Sequence, residues 1–295
     1  MNSSKRVFFI DGIIIILLLV ITLNGITSFN TKNAYEVVNQ YGDIIRIWGS
    51  GIYAHDSFFK APIFIGSDFT ILLVALPLLI ATILRKNKTV SLEYDVRSFT
   101  LLSLLLYYSA SVCFGVTYNN LHLIYIALFG LLFFRTISLL MKLYVVQIKN
   151  QNACTFCVSK GMRIFLVISG ISLFVAWLPD IIVSIINKKS LNLIEVYTTE
   201  VTYILDMGII SPLMFISLYL SKRQNFIGYV ILRMIFFTCM LVGIMLPIQT
   251  VFQIAAGITI PIPALITKVF IFVILAFFSF VFNKRLMKVS IYMEV

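Results

Sequence analysis

Residues 195–220 read EVYTTEVTYILDMGIISPLMFISLYL, and two acids, Glu200 and Asp206, stand where an apolar stretch long enough to cross a membrane is beginning. A carboxylate in hydrocarbon costs roughly 2.5–3.5 kcal/mol even on the lenient insertion scale, so each acid needs a compensating partner. The rest of the chain is read outward from that requirement.

Of the 295 residues 60% are hydrophobic and 12% charged, with a mean hydropathy of +1.02. A soluble domain carries about twice that share of charge, so the composition points to an integral membrane protein and away from nucleic-acid binding. Apolar runs of spanning length occur near 7–28, 69–85, 98–117, 121–141, 164–186, 200–220, 226–250 and 262–283. They predict an all-α polytopic helix bundle of about eight transmembrane helices, a single transmembrane domain over residues 1–295. The basic head MNSSKR followed by an apolar body is read as a retained first span, because no small-x-small cleavage site follows.

Charge supplies the expected orientation. With both termini cytoplasmic, 17 of the 23 Lys and Arg residues fall on the inner side and six on the outer. That is the positive-inside bias of a cell-membrane protein, and it accounts for the net charge of +11 without an acidic partner. Arg135 and Arg233 are expected to snorkel to the inner headgroups. The longest loop, residues 30–67, is then extracytoplasmic. Its Trp48, GSG turn and YAHDSFF segment, with Tyr53, His55 and Asp56, suggest a cap packed over the helices rather than a segment lying on the bilayer.

Several polar groups sit at the outer ends of spans. On the sixth, Glu195, Thr199, Thr202 and Asp206 are spaced four, three and four apart, one face of a helix, with Glu200, Tyr203 and Met207 beside it. Gln249 and Gln253 share a face of the seventh. Lys268, five residues past Pro263, lies roughly 8 Å into the eighth, and Asp206 lies roughly 9 Å into the sixth if that helix starts at Glu200. Equal depth makes Lys268 the expected partner of Asp206 or Glu200. Asp68 at the head of the second helix, Tyr118 and Asn119 in a tight turn, and Asp180 at the end of the fifth complete an outer layer. These groups either satisfy one another or line a polar basin open to the outside. Pro77 and Pro212 lie within spans and are expected to kink them.

No catalytic signature is present: no HExxH, no P-loop, and no nucleophile in a recognisable setting beside His55-Asp56. Cys154-x-x-Cys157 lacks the further ligands of a zinc site and reads as free thiols, so neither metal nor cofactor is expected.

The segments GIYAHDSFFKAPIFIGSDFTILLVALPLL, CFGVTYNNLHLIYIALFGLLFF, YTTEVTYILDMGIISPL and LPIQTVFQIAAGI together resemble a family of bacterial polytopic membrane proteins of uncharacterised activity. In size and span number the chain is also similar to accessory membrane proteins of lantibiotic immunity and export systems. That second resemblance implies a non-enzymatic component working with an ABC-type transporter, or binding an amphipathic peptide or lipid at the outer face. A secondary transporter using Glu200 or Asp206 as a proton site is the alternative, and an intramembrane enzyme the third.

Overall fold

The computed structural model describes residues 3–85, 91–149, 156–191 and 193–287. Helices dominate: α1 (Ser3–Thr27), α2 (Ala61–Leu84), α3 (Ser91–Gly115), α4 (His122–Lys149), α5 (Lys160–Asn187), α6 (Val201–Lys222) and α7 (Phe226–Ala255). An eighth, α8, runs through Ile262–Leu265, Ile266–Phe270 and Ile271–Met287. Among the described residues seven helices are long and apolar enough to cross a membrane, so the chain is a membrane-embedded helical bundle.

The hub is α7, which packs against α2, α3, α6 and α8, while α5 lies outside α6. Small residues permit the close crossings: a Cβ added at Gly66 of α2 would fall 2.6 Å from the Cα of Gln249 on α7. One added at Gly243 of α7 would fall 2.2 Å from the Cβ of Ala276 on α8. Without a hydrophobic drive between helices in lipid, such backbone proximity supplies the contact.

At both in-span prolines expected to kink their helices, the regular α-helical hydrogen bonding is interrupted. Each proline follows a widened π turn, Ile71–Ala75 before Pro77 and Asp206–Ile210 before Pro212. The residues after these turns, Leu76 and Ser211, donate back five positions to Ile71 and Asp206. A proline ring clashes with the carbonyl four residues earlier, and a wider turn relieves that clash.

Between α1 and α2 the chain makes an antiparallel hairpin, β1 (Tyr35–Val38) and β2 (Ile44–Ile47), then a single 3-10 turn at Gly51–Tyr53. Trp48 and Tyr53 are fully buried in a small core with Phe58, Ala61 and Ile65, and Trp48 stands 5.6 Å from the ring of Phe29 and 5.3 Å from that of Phe58. Phe29 in turn meets Phe252 of α7 at 5.5 Å, which ties the loop to the bundle. A ring that buries ~200 Å² at ~25 cal/mol per Å² contributes about 5 kcal/mol before ordering costs. The loop is therefore a packed cap.

At the opposite end of the bundle the arginines do not snorkel. Arg135 is buried on α4 with its Nε 3.0 Å from Asp11 of α1. Arg233 is buried on α7 and donates to Asn283 of α8 at 2.9 Å and to the Tyr229 hydroxyl at 2.8 Å. Arg233 sits about two turns inside its helix and Arg135 nearly four turns from either end of its own, and in both places facing side chains supply the partners.

Candidate functional site

Beneath the cap lies a layer of aspartates, each held by aromatic donors. The first is Asp68. Its helix begins at Ala61, with Pro62 pre-set for the first turn, rather than near residue 69, so Asp68 lies two turns inside α2 instead of at its head. It is fully buried and accepts from the Tyr53 hydroxyl at 2.6 Å and the Tyr108 hydroxyl at 2.5 Å.

The second is Asp206, which accepts from the Tyr107 hydroxyl at 2.9 Å and from the indole N–H of Trp177 at 3.0 Å. Trp177 stacks on Tyr203 with ring centroids 4.7 Å apart, and Tyr203 donates to Asp180 at 2.8 Å. Tyr107 and Tyr108 are neighbours on α3 and diverge by about 100° around its axis. One therefore reaches α6 and the other α2, and α3 links two acids on different helices.

The third acid, Asp56, is in the cap. One carboxylate oxygen, Oδ1, accepts from the Thr117 N–H at 2.9 Å and the Tyr197 hydroxyl at 3.0 Å. The other, Oδ2, is buried and has no hydrogen-bond partner among the described residues. Burial pushes Asp56 up to about 7, against the lowering effect of its hydrogen bonds and of Lys60. A proton on Oδ2 fits this geometry, since it removes the charge that burial penalises most. Burial likewise raises Glu195, which accepts from the Ser57 hydroxyl. Lys60, the residue before α2, pairs with Glu200 and lies 4.2 Å over the ring of Tyr197.

The expected stripe on the sixth helix is not formed. The helix starts at Val201 with Glu200 as its cap, and Glu195 has a positive φ of 51° in the preceding turn. Four-three-four spacing implies a common face only where the backbone is helical, and Glu195 and Thr199 precede the helix. Glu200 is held by Lys60, and Asp206 by Tyr107 and Trp177; the side chain of Lys268 lies outside the described residues.

The remaining candidates scatter. Gln249 donates to Ser67 at 2.7 Å and Gln253 to the Phe59 carbonyl at 3.1 Å, so their shared face pins α7 to α2 and to the cap just before it. Asn119 caps α4 through the Leu121 N–H at 2.9 Å, and Tyr118 is exposed beside His122. His55 is exposed, and its Nδ1 lies 3.3 Å from the Tyr35 hydroxyl. Trp48 donates its indole N–H to the Ser28 carbonyl at 2.8 Å. Cys157 is exposed, and Cys154 lies outside the described residues. Among the described residues no three of His, Cys, Asp and Glu lie together as a metal would need.

What sequence reasoning missed is the donors: Lys60, Tyr107, Tyr108, Trp177 and Tyr197. A signal existed, because a YY pair inside a span places two hydroxyls where hydrocarbon demands acceptors.

The cap also presents an unburied surface. Cross-strand partners Val38 and Ile44 are 69% and 70% exposed, with Tyr41 exposed at the turn between them. The hairpin end is braced from below, Asn39 donating to the Glu195 carbonyl at 2.9 Å and Gln40 to the Tyr197 carbonyl at 3.3 Å. Exposed Glu36 and Asp43 flank the apolar pair.

Comparison of the chain with protein families, with curated proteins and with solved structures found no match.

Proposed function

We propose that the chain is an eight-span protein of a bacterial cytoplasmic membrane, α8 being the last span and both termini cytoplasmic. In this reading it acts without catalysis, as an accessory or binding component that engages an amphipathic peptide at its outer face, alone or beside an ABC-type transporter. The charge distribution along the sequence supports the orientation. The absence of a nucleotide-binding motif leaves ATP-driven work to a partner.

The observation that carries the reading is the hairpin. A rigidly braced ribbon exposing an apolar cross-strand pair, with acids beside it, suits a cationic amphipathic ligand: Val38, Tyr41 and Ile44 meet its apolar side, and Glu36 and Asp43 its charges. The aspartate layer below then serves as the brace. Protein in lipid nanodiscs is expected to bind a fluorescent cationic amphipathic helix, and the variant Val38→Asp/Ile44→Asp to bind it at least about tenfold more weakly, a loss of roughly 1.4 kcal/mol. Equal binding by both proteins overturns the reading.

A second reading, secondary transport with Glu200 or Asp206 exchanging a proton, draws support from the π turn that begins at Asp206, since such irregularities accompany functional sites. Proteoliposomes would then acidify with solute entry, and Asp206→Asn would abolish the coupling.

A further inference from the structure

At the end of the bundle away from the cap, a cavity of about 220 Å³ opens between α2, α3, α7 and α8. Its lining includes Arg85, Arg97 and Arg233, together with Leu78, Leu101 and Phe237. The order of these groups along the helices is informative. Leu101 lies four residues beyond Arg97, and Phe237 four beyond Arg233, each about 6 Å deeper toward the middle of the bundle. Leu78 lies seven residues before Arg85 on the antiparallel α2, about 10 Å deeper. The cavity is thus cationic near the membrane surface and apolar further in, which is the polarity of a phospholipid and not that of a soluble anion.

The cationic end is a built site. Arg233 is only 3% exposed, and its guanidinium is oriented by Asn283 and Tyr229. Glu93 meets the Nε of Arg97 at 2.7 Å and a terminal nitrogen of Arg233 at 3.6 Å. One carboxylate is therefore shared by Arg97 and Arg233, and these two guanidiniums carry one positive charge more than it does. Planar guanidiniums are suited to phosphate oxygens, and basic pockets between spans recognise anionic headgroups.

We propose that this cavity holds the phosphate group of an anionic phospholipid, with Arg85, Arg97 and Arg233 around the phosphate and the head of an acyl chain along Leu78, Leu101 and Phe237. The volume accommodates a headgroup and the first part of a chain, and the remainder of the lipid lies in the bilayer. This assignment is independent of any ligand at the hairpin.

Native mass spectrometry of delipidated protein, titrated with phosphatidylglycerol or phosphatidylcholine, tests it. The wild type is expected to retain phosphatidylglycerol about tenfold more tightly, and Arg85→Gln/Arg97→Gln to lose that preference, at about 1 kcal/mol for each arginine near the surface. Leu101→Trp, which fills the apolar end without altering charge, is expected to lose it as well. Equal retention of both lipids, or a preference that survives Leu101→Trp in folded protein, overturns the proposal. Displacement of the lipid by millimolar inorganic phosphate overturns it too, by assigning the cationic end to a free anion.

Discussion

At the scale of single residues, the pattern under the cap is a carboxylate met by phenol and indole donors. Asp68, Asp180 and Asp206 take five aromatic donors between four helices and the cap, and this reflects what a buried acid needs. Each hydroxyl satisfies a lone pair without bringing in a second charge to desolvate. Asp56 leads to a pH prediction. Its pKa is about 7 in the closed cap and 3.8 when exposed, so the closed state holds a proton that the open state releases between those values. Cap closure is strongest below about pH 4 and loses roughly 4 kcal/mol as pH rises through 7. Amide exchange at Trp48 and Phe58, corrected for its intrinsic pH dependence, is expected to be slower at pH 5.5 than at pH 8. Asp56→Asn, neutral throughout, should level the two. Lys60 carries the opposite lesson. Lys60→Met strands Glu200 under the cap and is expected to cost about 3–5 kcal/mol, read as a lower thermal midpoint, while Lys60→Met/Glu200→Met recovers most of it.

At the scale of elements, what was legible in advance follows from period and length. Apolar runs located every helix, because spanning hydrocarbon demands an unbroken stretch whatever the side chains do. Boundaries were less legible. The apolar run places the second helix near residues 69–85, yet it begins at Ala61: Gly66 admits the close passage of Gln249, and the polar Asp68 is met by Tyr53 and Tyr108. Both reasons are tertiary and leave no local mark. The same crowding gives a contrast within α1. A Cβ on Gly25 would fall 1.6 Å from Asp68 Oδ2, whereas one on Gly12 meets nothing within 4 Å. Asp68 is held from two sides and cannot retreat, so Gly25→Ala is expected to destabilise by about 1–3 kcal/mol or more. Gly12→Ala should be neutral or slightly stabilising, and parallel thermal melts in one detergent separate the two.

For the molecule as a whole, the distribution of Lys and Arg predicts which end faces the cytoplasm, and labelling can check it. In a variant whose only cysteine is Cys157, a membrane-impermeant maleimide is expected to react after cell lysis and not before. Val38→Cys in a cysteine-free background should react with intact cells. The reverse pattern would invert the orientation and move the hairpin to the other compartment. Of the site itself, less was legible than of the bundle: the acids stand out in the sequence, but of their partners only Tyr53 and Tyr203 do. The cap contacts join Phe59 to Gln253, Lys60 to Glu200 and Asp56 to Thr117, pairs separated by 61 to 194 residues, and no periodicity records them.

Those separations also set a schedule. During synthesis the cap segment leaves the ribosome long before α3, the Glu195–Glu200 turn and α7, on which its closure depends. At about 5–20 residues per second, the 194 residues between Phe59 and Gln253 take roughly 10 to 40 seconds. Throughout that interval Trp48, Tyr53 and Asp68 lack part of their final surroundings. The nascent chain therefore passes through a stage in which Phe29 lacks the ring of Phe252 and Phe59 the bond from Gln253, and that stage ends only when the seventh helix arrives.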